Sequence, residues 1–236
     1  MVNKITNRFN IQRIVVFIFL TVQVSELGGQ TLAVIRSFRV YEKIAKQDSS
    51  IVMTELRSVI PDLKYDLRYA TLNNFMHRKL YQHGDIAFLR LPVARAHAAA
   101  QADLDQKGFA LKIWDAYRPY SITEAMWEPI RDERYLADPK KGSGHNRGIA
   151  VDLTLIDKPG GNELDMGTGF DNFSDTAHRD FTALPGQVLG NRLFLQTTME
   201  KHGFIALPME WWHFYWHDST FDLMDIAPKK FKKNIN

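Results

Sequence analysis

The chain has 236 residues, 45% of them hydrophobic and 24% charged, and no cysteine. That length supports one large domain or two small ones with a substantial core, and the composition excludes a collagen-like, disulfide-stapled or wholly disordered chain. Thiol catalysis, iron–sulfur ligation and cysteine-based zinc sites are excluded as well, so any metal must be held by histidines and carboxylates. The formal charge is +3 and the isoelectric point about 9.0, which would suit an anionic partner. The excess lies at the ends, in Lys4, Arg8 and Arg13 and in Lys229, Lys230, Lys232 and Lys233. Setting those seven aside leaves 23 basic against 27 acidic residues, a mildly acidic body that argues against a nucleic-acid partner.

In chain order, residues 1–29 read as a signal peptide or N-terminal anchor. Three basic residues lead into the apolar run Ile14–Val24, too short for a bilayer span of roughly 20 residues but suited to a signal-peptide core. Ser25, Gly28 and Gly29 follow without an Ala-x-Ala cleavage site. The expectation is an exported, periplasmic or extracellular protein, with an uncleaved segment as its membrane contact; a first core helix would explain the same run. Residues 30–58 read as a leading helix or linker, with helical spacing from Leu32 to Ala45. A main domain over 59–227 follows, then a solvated basic tail over 228–236.

Within the domain, Leu63 to Tyr69 alternates as a strand, and Pro92 to Lys107 is a helix with proline near its start and Gly108 as its stop. Phe109 to Trp114 reads as a buried strand, and Ser121-Ile122-Thr123-Glu124 as a capping box opening a second helix. Ile149 to Leu155 is a β-branched strand, Asn191 to His202 a helix closed by Gly203, and Trp211 to Trp216 an aromatic strand. Without a regular βαβ rhythm, the fold class is α+β.

Two clusters carry chemistry. In Ser143-Gly144-His145-Asn146-Arg147-Gly148-Ile149-Ala150-Val151-Asp152, a histidine and an aspartate seven apart would face opposite sides of a regular strand. They converge only if the chain turns, and Arg147-Gly148 supplies a break. Asp152 then lies within an apolar strand, where an unpaired carboxylate is costly and a metal or a hydrogen-bonded cation would relieve it. The second cluster is Pro208-Met209-Glu210-Trp211-Trp212-His213. Zinc hydrolases commonly use three protein ligands and a separate carboxylate base; His145, Asp152 and His213 would be the ligands, leaving Glu210 for proton transfer. A histidine in an aromatic strand also reads as a satisfied core residue, and the residues alone leave both readings open.

The pattern Ser-x-His-x-x-Gly-x-Ala-x-Asp followed by Glu-x-Trp-His resembles the zinc D-alanyl-D-alanine dipeptidases, the VanX-type D,D-peptidases. The similarity runs from Tyr65 to about Trp216 and includes Tyr65–Phe75, Trp114-Asp115-Ala116-Tyr117-Arg118-Pro119 and Met166-Gly167-Thr168-Gly169-Phe170-Asp171. The resemblance implies a small zinc-peptidase domain with a central antiparallel sheet flanked by helices, and one zinc per chain. It makes His145, Asp152 and His213 the ligands, Glu210 the base and Arg118 the group that steadies the transition state. Tyr69 and Asp171 would hold the ammonium of a small D,D-dipeptide, with Ser143 also facing the substrate. The activity implied is hydrolysis of D-alanyl-D-alanine. Alternatives are a D,D-carboxypeptidase or endopeptidase acting on peptidoglycan stem peptides, and a non-catalytic zinc-stabilised cell-wall binding domain. The stretches Tyr120–Lys141 and Asp157–Leu189 are long enough to build a lid, which favours the dipeptidase.

Other residues are set aside. His77, His83, His97, His178 and His202 read as surface or structural, and His217, in a β-rich setting, is not counted as a ligand. Trp211, Trp212, Phe214 and Trp216 are expected to fill the core and wall the metal. Lys158-Pro159-Gly160-Gly161 is a turn, since it lacks the Gly-Lys-Ser/Thr ending of a phosphate loop.

Overall fold

The structure, a computed structural model, describes residues 32–217 and 221–234. The basic and apolar segment read as a signal peptide or anchor lies outside the described residues. No helix among the described residues is long and apolar enough to cross a membrane.

The elements follow one another as β1 (Val34–Ile35), α1 (Phe38–Ala45), β2 (Met53–Glu55), β3 (Lys64–Tyr65), β4 (Phe88–Arg90), α2 (Leu91–Asp105) and β5 (Phe109–Asp115). Then come α3 (Tyr120–Ile130), α4 (Gly144–Arg147), β6 (Ala150–Asp157), α5 (Gly186–Lys201), β7 (Phe204–Ala206), β8 (His213–Trp216) and β9 (Leu223–Met224). Five strands form the main sheet in the order β3-β5-β6-β8-β7. Its pairings are antiparallel except at the β3 edge, which runs parallel to β5. The fold is therefore α+β, with a mixed rather than wholly antiparallel sheet.

The sheet's two faces have different tasks. Val151, Leu153 and Leu155 of β6 join Leu111 and Ile113 of β5 and Leu104, Leu195 and Met199 of the helices in the main core. α2 packs on β5 and on α5, which covers β7. Asp152 and Thr154 alternate with those core residues and so face the other side, under loops carrying Phe170, Trp211 and Trp212. A register shift at Trp114 sets Asp115 directly opposite Asp152, whereas Ile113 opposes Leu153. Regular pairing would have set Asp115 against Val151 on the core face. The bulge re-aims it onto the face of Asp152.

Several boundaries differ from those read in the sequence. The expected helix from Leu32 begins only at Phe38, because Val34–Ile35 pairs in parallel with Leu223–Met224. The expected strand Leu63–Tyr69 is a two-residue strand followed by a 3₁₀ turn at Arg68–Ala70. Ser121 caps nothing: Pro119 takes the N-cap of α3, and the Ser121 hydroxyl donates to Asp225 at 2.7 Å. The capping box belongs instead to Ser143 and Asn146 at α4. Trp211 and Trp212 lie in the turn before β8. The basic tail also departs from a solvated terminus: Pro228–Asn234 is a 3₁₀ helix, and Phe231, 1% exposed, meets the rings of Tyr41, Phe88 and Tyr117.

Candidate active site

The two sequence clusters meet at adjacent strands. Asp152 on β6 is the register partner of His213 on β8, so both side chains rise from the same face. His145 arrives from α4, whose first turn is capped by Ser143 Oγ, which accepts His145 N at 3.1 Å. Gly148 ends that turn at φ +73°. A Cβ there would meet the Met53 side chain at 2.9 Å, so the turn that brings His145 back over Asp152 requires glycine.

The three donor atoms lie within 4.8 Å of one another. His213 Nδ1 is 2.9 Å from Asp152 Oδ1, and His145 Nε2 is 3.3 Å from His213 Nδ1 and 3.4 Å from Asp152 Oδ2. His145 Nδ1 donates to the Ala116 carbonyl at 2.7 Å, which leaves the lone pair on Nε2, pointing into the group. A backbone acceptor fixing the tautomer of a ligating imidazole is the usual support of a metal ligand. Two imidazoles and one carboxylate, with no thiolate, form a donor set that fits zinc. Burial raises the Asp152 carboxyl, but the two imidazoles outweigh it and hold the group well below the ordinary carboxylate range. Burial lowers His213, with Asp152 opposing. Asp152 and His213 are thus both shifted toward the deprotonated form that ligation requires.

Glu210 stands beside this group, with Oε2 3.8 Å from His213 Nδ1 and a side chain 14% exposed. Burial, and then the negative Asp152 and Asp171, push its carboxyl well above the ordinary value, against Arg118 and Arg179. On the opposite side, Arg118 donates Nε and Nη2 to Asp115 Oδ2 at 3.0 and 2.6 Å, and its Nη2 is 4.0 Å from Asp152 Oδ2. Desolvation disfavours this cation, yet Asp115 and its neighbours keep it firmly protonated. Asp115 is fully buried and also accepts the Tyr81 hydroxyl at 2.6 Å.

The far end of the cleft is built on Asp171, which adopts φ +57°. It accepts the Tyr69 hydroxyl at 2.9 Å and Phe75 N at 3.2 Å. Burial pushes its carboxyl up to about 7. Burial, then the Asp171 charge, raises Tyr69 well above the usual phenol range, so it remains a hydrogen-bond donor. Tyr69, Arg118, Ser143, Asp171 and Glu210 all line one cleft of about 490 Å³ together with the three metal-site residues. Of the stretches expected to build a lid, Glu133–Ala137 lines this cleft and the second supplies Asp171.

The remaining histidines divide as follows. His97 is fully buried with neither ring nitrogen partnered among the described residues, and His202 pairs with Asp103 at 2.7 Å. His217 lines the cleft but stands outside the metal group. Trp211, Trp212 and Phe214 are buried; Trp212 and Trp216 wall the cleft, and Trp211 donates to Thr168 away from it. Sequence reasoning assigns no role to Asp115, although it lies between Trp114 and Arg118. Tyr81 and Arg179 belonged to no motif. Arg179 donates Nε to the Leu207 carbonyl at 2.9 Å and Nη2 to that of His213 at 3.0 Å.

A peptidase M15 family model, described as D-ala-D-ala dipeptidase, matches residues 49–232. The chain belongs to the D-Ala-D-Ala dipeptidase family. Among its relatives, the D-alanyl-D-alanine dipeptidase of Escherichia coli (strain K12) is 36% identical over 69% of this chain and 83% of the relative. The enzyme of the same name from Streptomyces coelicolor is 31% identical over 66% and 87%. That from Enterococcus faecalis is 28% identical over 70% and 92%. The family match contains every residue of the cleft named above, from Tyr69 to His213.

Proposed function

We propose that the protein is a zinc-dependent dipeptidase that hydrolyses D-alanyl-D-alanine to two D-alanines, with one zinc per chain held by His145, Asp152 and His213. The observation that carries this reading is the convergence of those three donors beside Glu210, which lies 3.8 Å from His213 Nδ1. A structural metal site has no use for a buried, proton-hungry carboxylate at its edge. The names of the relatives support D-alanyl-D-alanine as the substrate.

When bound, the zinc ion supplies Lewis acidity, polarising the scissile carbonyl and lowering the pKa of a water. Glu210 takes a proton from the attacking water on a carboxylate oxygen and returns it to the leaving amine. Arg118, with Nε and Nη2 anchored on Asp115, turns its remaining donors to the oxyanion that develops on the carbonyl; such a donor contributes roughly 2.7–4 kcal/mol. Asp171 and Tyr69 receive the substrate's ammonium, and Ser143, while capping α4, borders the substrate. An anion at that end of the cleft favours a free N-terminus over an extended chain. The cleft, at about 490 Å³, is roomy for a dipeptide, and this is the observation behind a second reading, D,D-carboxypeptidase action on stem peptides.

The order of basic and apolar residues in segment 1–29, ahead of a catalytic domain whose described residues begin at Leu32, supports an exported enzyme. The deciding experiment is product analysis on D-alanyl-D-alanine beside a pentapeptide ending in D-Ala-D-Ala. The expected result is turnover of the dipeptide alone, with L-alanyl-L-alanine spared. Turnover of the pentapeptide would install the second reading, and no turnover of either by zinc-loaded protein would refute the enzymatic one.

A further inference from the structure

The Leu207–Trp212 loop between β7 and β8 carries Glu210, and from inside it is held loosely. Leu207 N reaches the His213 carbonyl at 3.1 Å, but Glu210 N to Leu207 O and His213 N to Glu210 O are both 3.4 Å, long for backbone bonds. Its restraint comes from outside: β6 holds its end, with Leu153 N donating to Trp212 O at 3.1 Å, Thr168 accepts the Trp211 indole at 2.8 Å, and segment 177–179 holds the rest. Trp211 N donates to Ala177 O at 3.1 Å and Arg179 N to Pro208 O at 2.9 Å. The Arg179 side chain then spans the base of the loop, Nε on the Leu207 carbonyl at 2.9 Å and Nη2 on the His213 carbonyl at 3.0 Å. One planar guanidinium thus ties the first residue of the loop to the residue after it, which a point-charge ammonium cannot do.

The position is an expensive one for a cation. Among the described residues Arg179 makes no direct ion pair, the charges of Glu200 and Glu210 support it only from a distance, and its Nη1 is buried without a partner. Desolvation pushes it down to about 10. Its guanidinium carbon lies 4.4 Å from the Phe214 ring centroid. An apolar side chain would fill this space without stranding a donor. The charge of Arg179 opposes the rise of the Glu210 carboxyl, as a lysine's would; what arginine supplies beyond that charge is the two-carbonyl grip.

We infer that Arg179 is the positioning residue for Glu210: it fixes the loop so that the carboxylate stands against the metal group in the orientation proton transfer needs. This rests on the peptidase reading above, so the test has one readout that does not require turnover. In zinc-loaded Arg179→Met, amide hydrogen exchange across 209–213 should accelerate by about tenfold or more while β5 and β6 amides stay protected. If that variant does not fold, Arg179→Lys, which keeps charge and reach but not the double grip, carries the same comparison. In activity, kcat should fall roughly 10- to 100-fold with KM within about threefold, since proton transfer and not binding is disturbed. Placed on a Glu210→Gln background, Arg179→Met should cause no further loss, because the two act through one group. Unchanged exchange in the loop overturns the inference, as do losses that multiply with those of Glu210→Gln. A wild-type protein without turnover would refute the peptidase reading and leave the exchange result to decide the positioning role.

Discussion

Asp115 and Arg118 form a bidentate pair sealed inside the protein: Nε and Nη2 reach one carboxylate oxygen at 3.0 and 2.6 Å while the carboxylate is fully buried. The pair exists because the bulge at Trp114 turns Asp115 out of the core and onto the face of Asp152. Asp115→Asn leaves a buried guanidinium without its counter-charge, a change that costs about 3–5 kcal/mol. Arg118 would then be free to swing toward Asp152, 4.0 Å away. Chemical denaturation should register the loss of stability. In the folded fraction kcat should drop by about 100-fold, and a variant with wild-type kcat would rule out the anchoring role.

Glu210→Gln removes proton transfer without changing the size of the side chain. Turnover of D-alanyl-D-alanine should fall by about 10²–10⁴-fold while dialysed protein retains its zinc. Metal analysis makes the decision: if zinc leaves with the carboxylate, Glu210 is a ligand and not the base.

Asp171→Asn keeps an acceptor for Tyr69 but removes the charge offered to the ammonium. A charge-assisted bond contributes about 1.5–3 kcal/mol, so KM for the dipeptide should rise about 10- to 100-fold with a smaller change in kcat. The preference for free over N-acetylated dipeptide should narrow in the same variant. An unaltered preference would show that the ammonium is held elsewhere.

His97 gives the fold a built-in acid sensitivity. Burial alone, with no hydrogen bond to its ring, lowers it to about 4. The folded state therefore takes up its proton later than the unfolded chain, whose histidine titrates near 6.5. Its contribution to stability is complete above about pH 6.5 and is lost as the pH falls toward 4, by about 3 kcal/mol in all. His97→Leu should abolish that component. Comparing urea midpoints at pH 7.5 and pH 5, the variant should gain about 2 kcal/mol on the wild type at the lower pH. Parallel losses in both proteins would place the acid sensitivity elsewhere.

The parts of the site that the sequence revealed are those whose logic is local. His145 and Asp152 sit seven apart around a glycine break, and Glu210 and His213 lie three apart, so spacing and residue type were enough to suspect them. The supports were hidden because their partners are remote. Tyr81 reaches Asp115 across 34 positions and Ser121 reaches Asp225 across 104, distances at which periodicity carries no information. The latter contact is why a sequence that looked like a capping box caps nothing. Arg179 serves backbone carbonyls, which no motif records. In the tail, the single phenylalanine among lysines was the available sign that residues 228–234 return to the body, since an aromatic residue has little reason to remain in a solvated stretch.

The small sheet of β1 and β9 closes the described chain on itself, and Arg36 clasps Asp225 across 189 positions. No ribosome-bound fragment that stops short of Leu223 can form this corner, because half of it has yet to be synthesised. His213, the candidate ligand latest in the chain, precedes β9 by little, so neither the corner nor the candidate metal site can be complete before residues 213–224 are made. A nascent chain stalled before β9 would hold most of the main sheet yet leave Tyr41 and Phe88 uncovered by Phe231, a surface on which a holding chaperone could act.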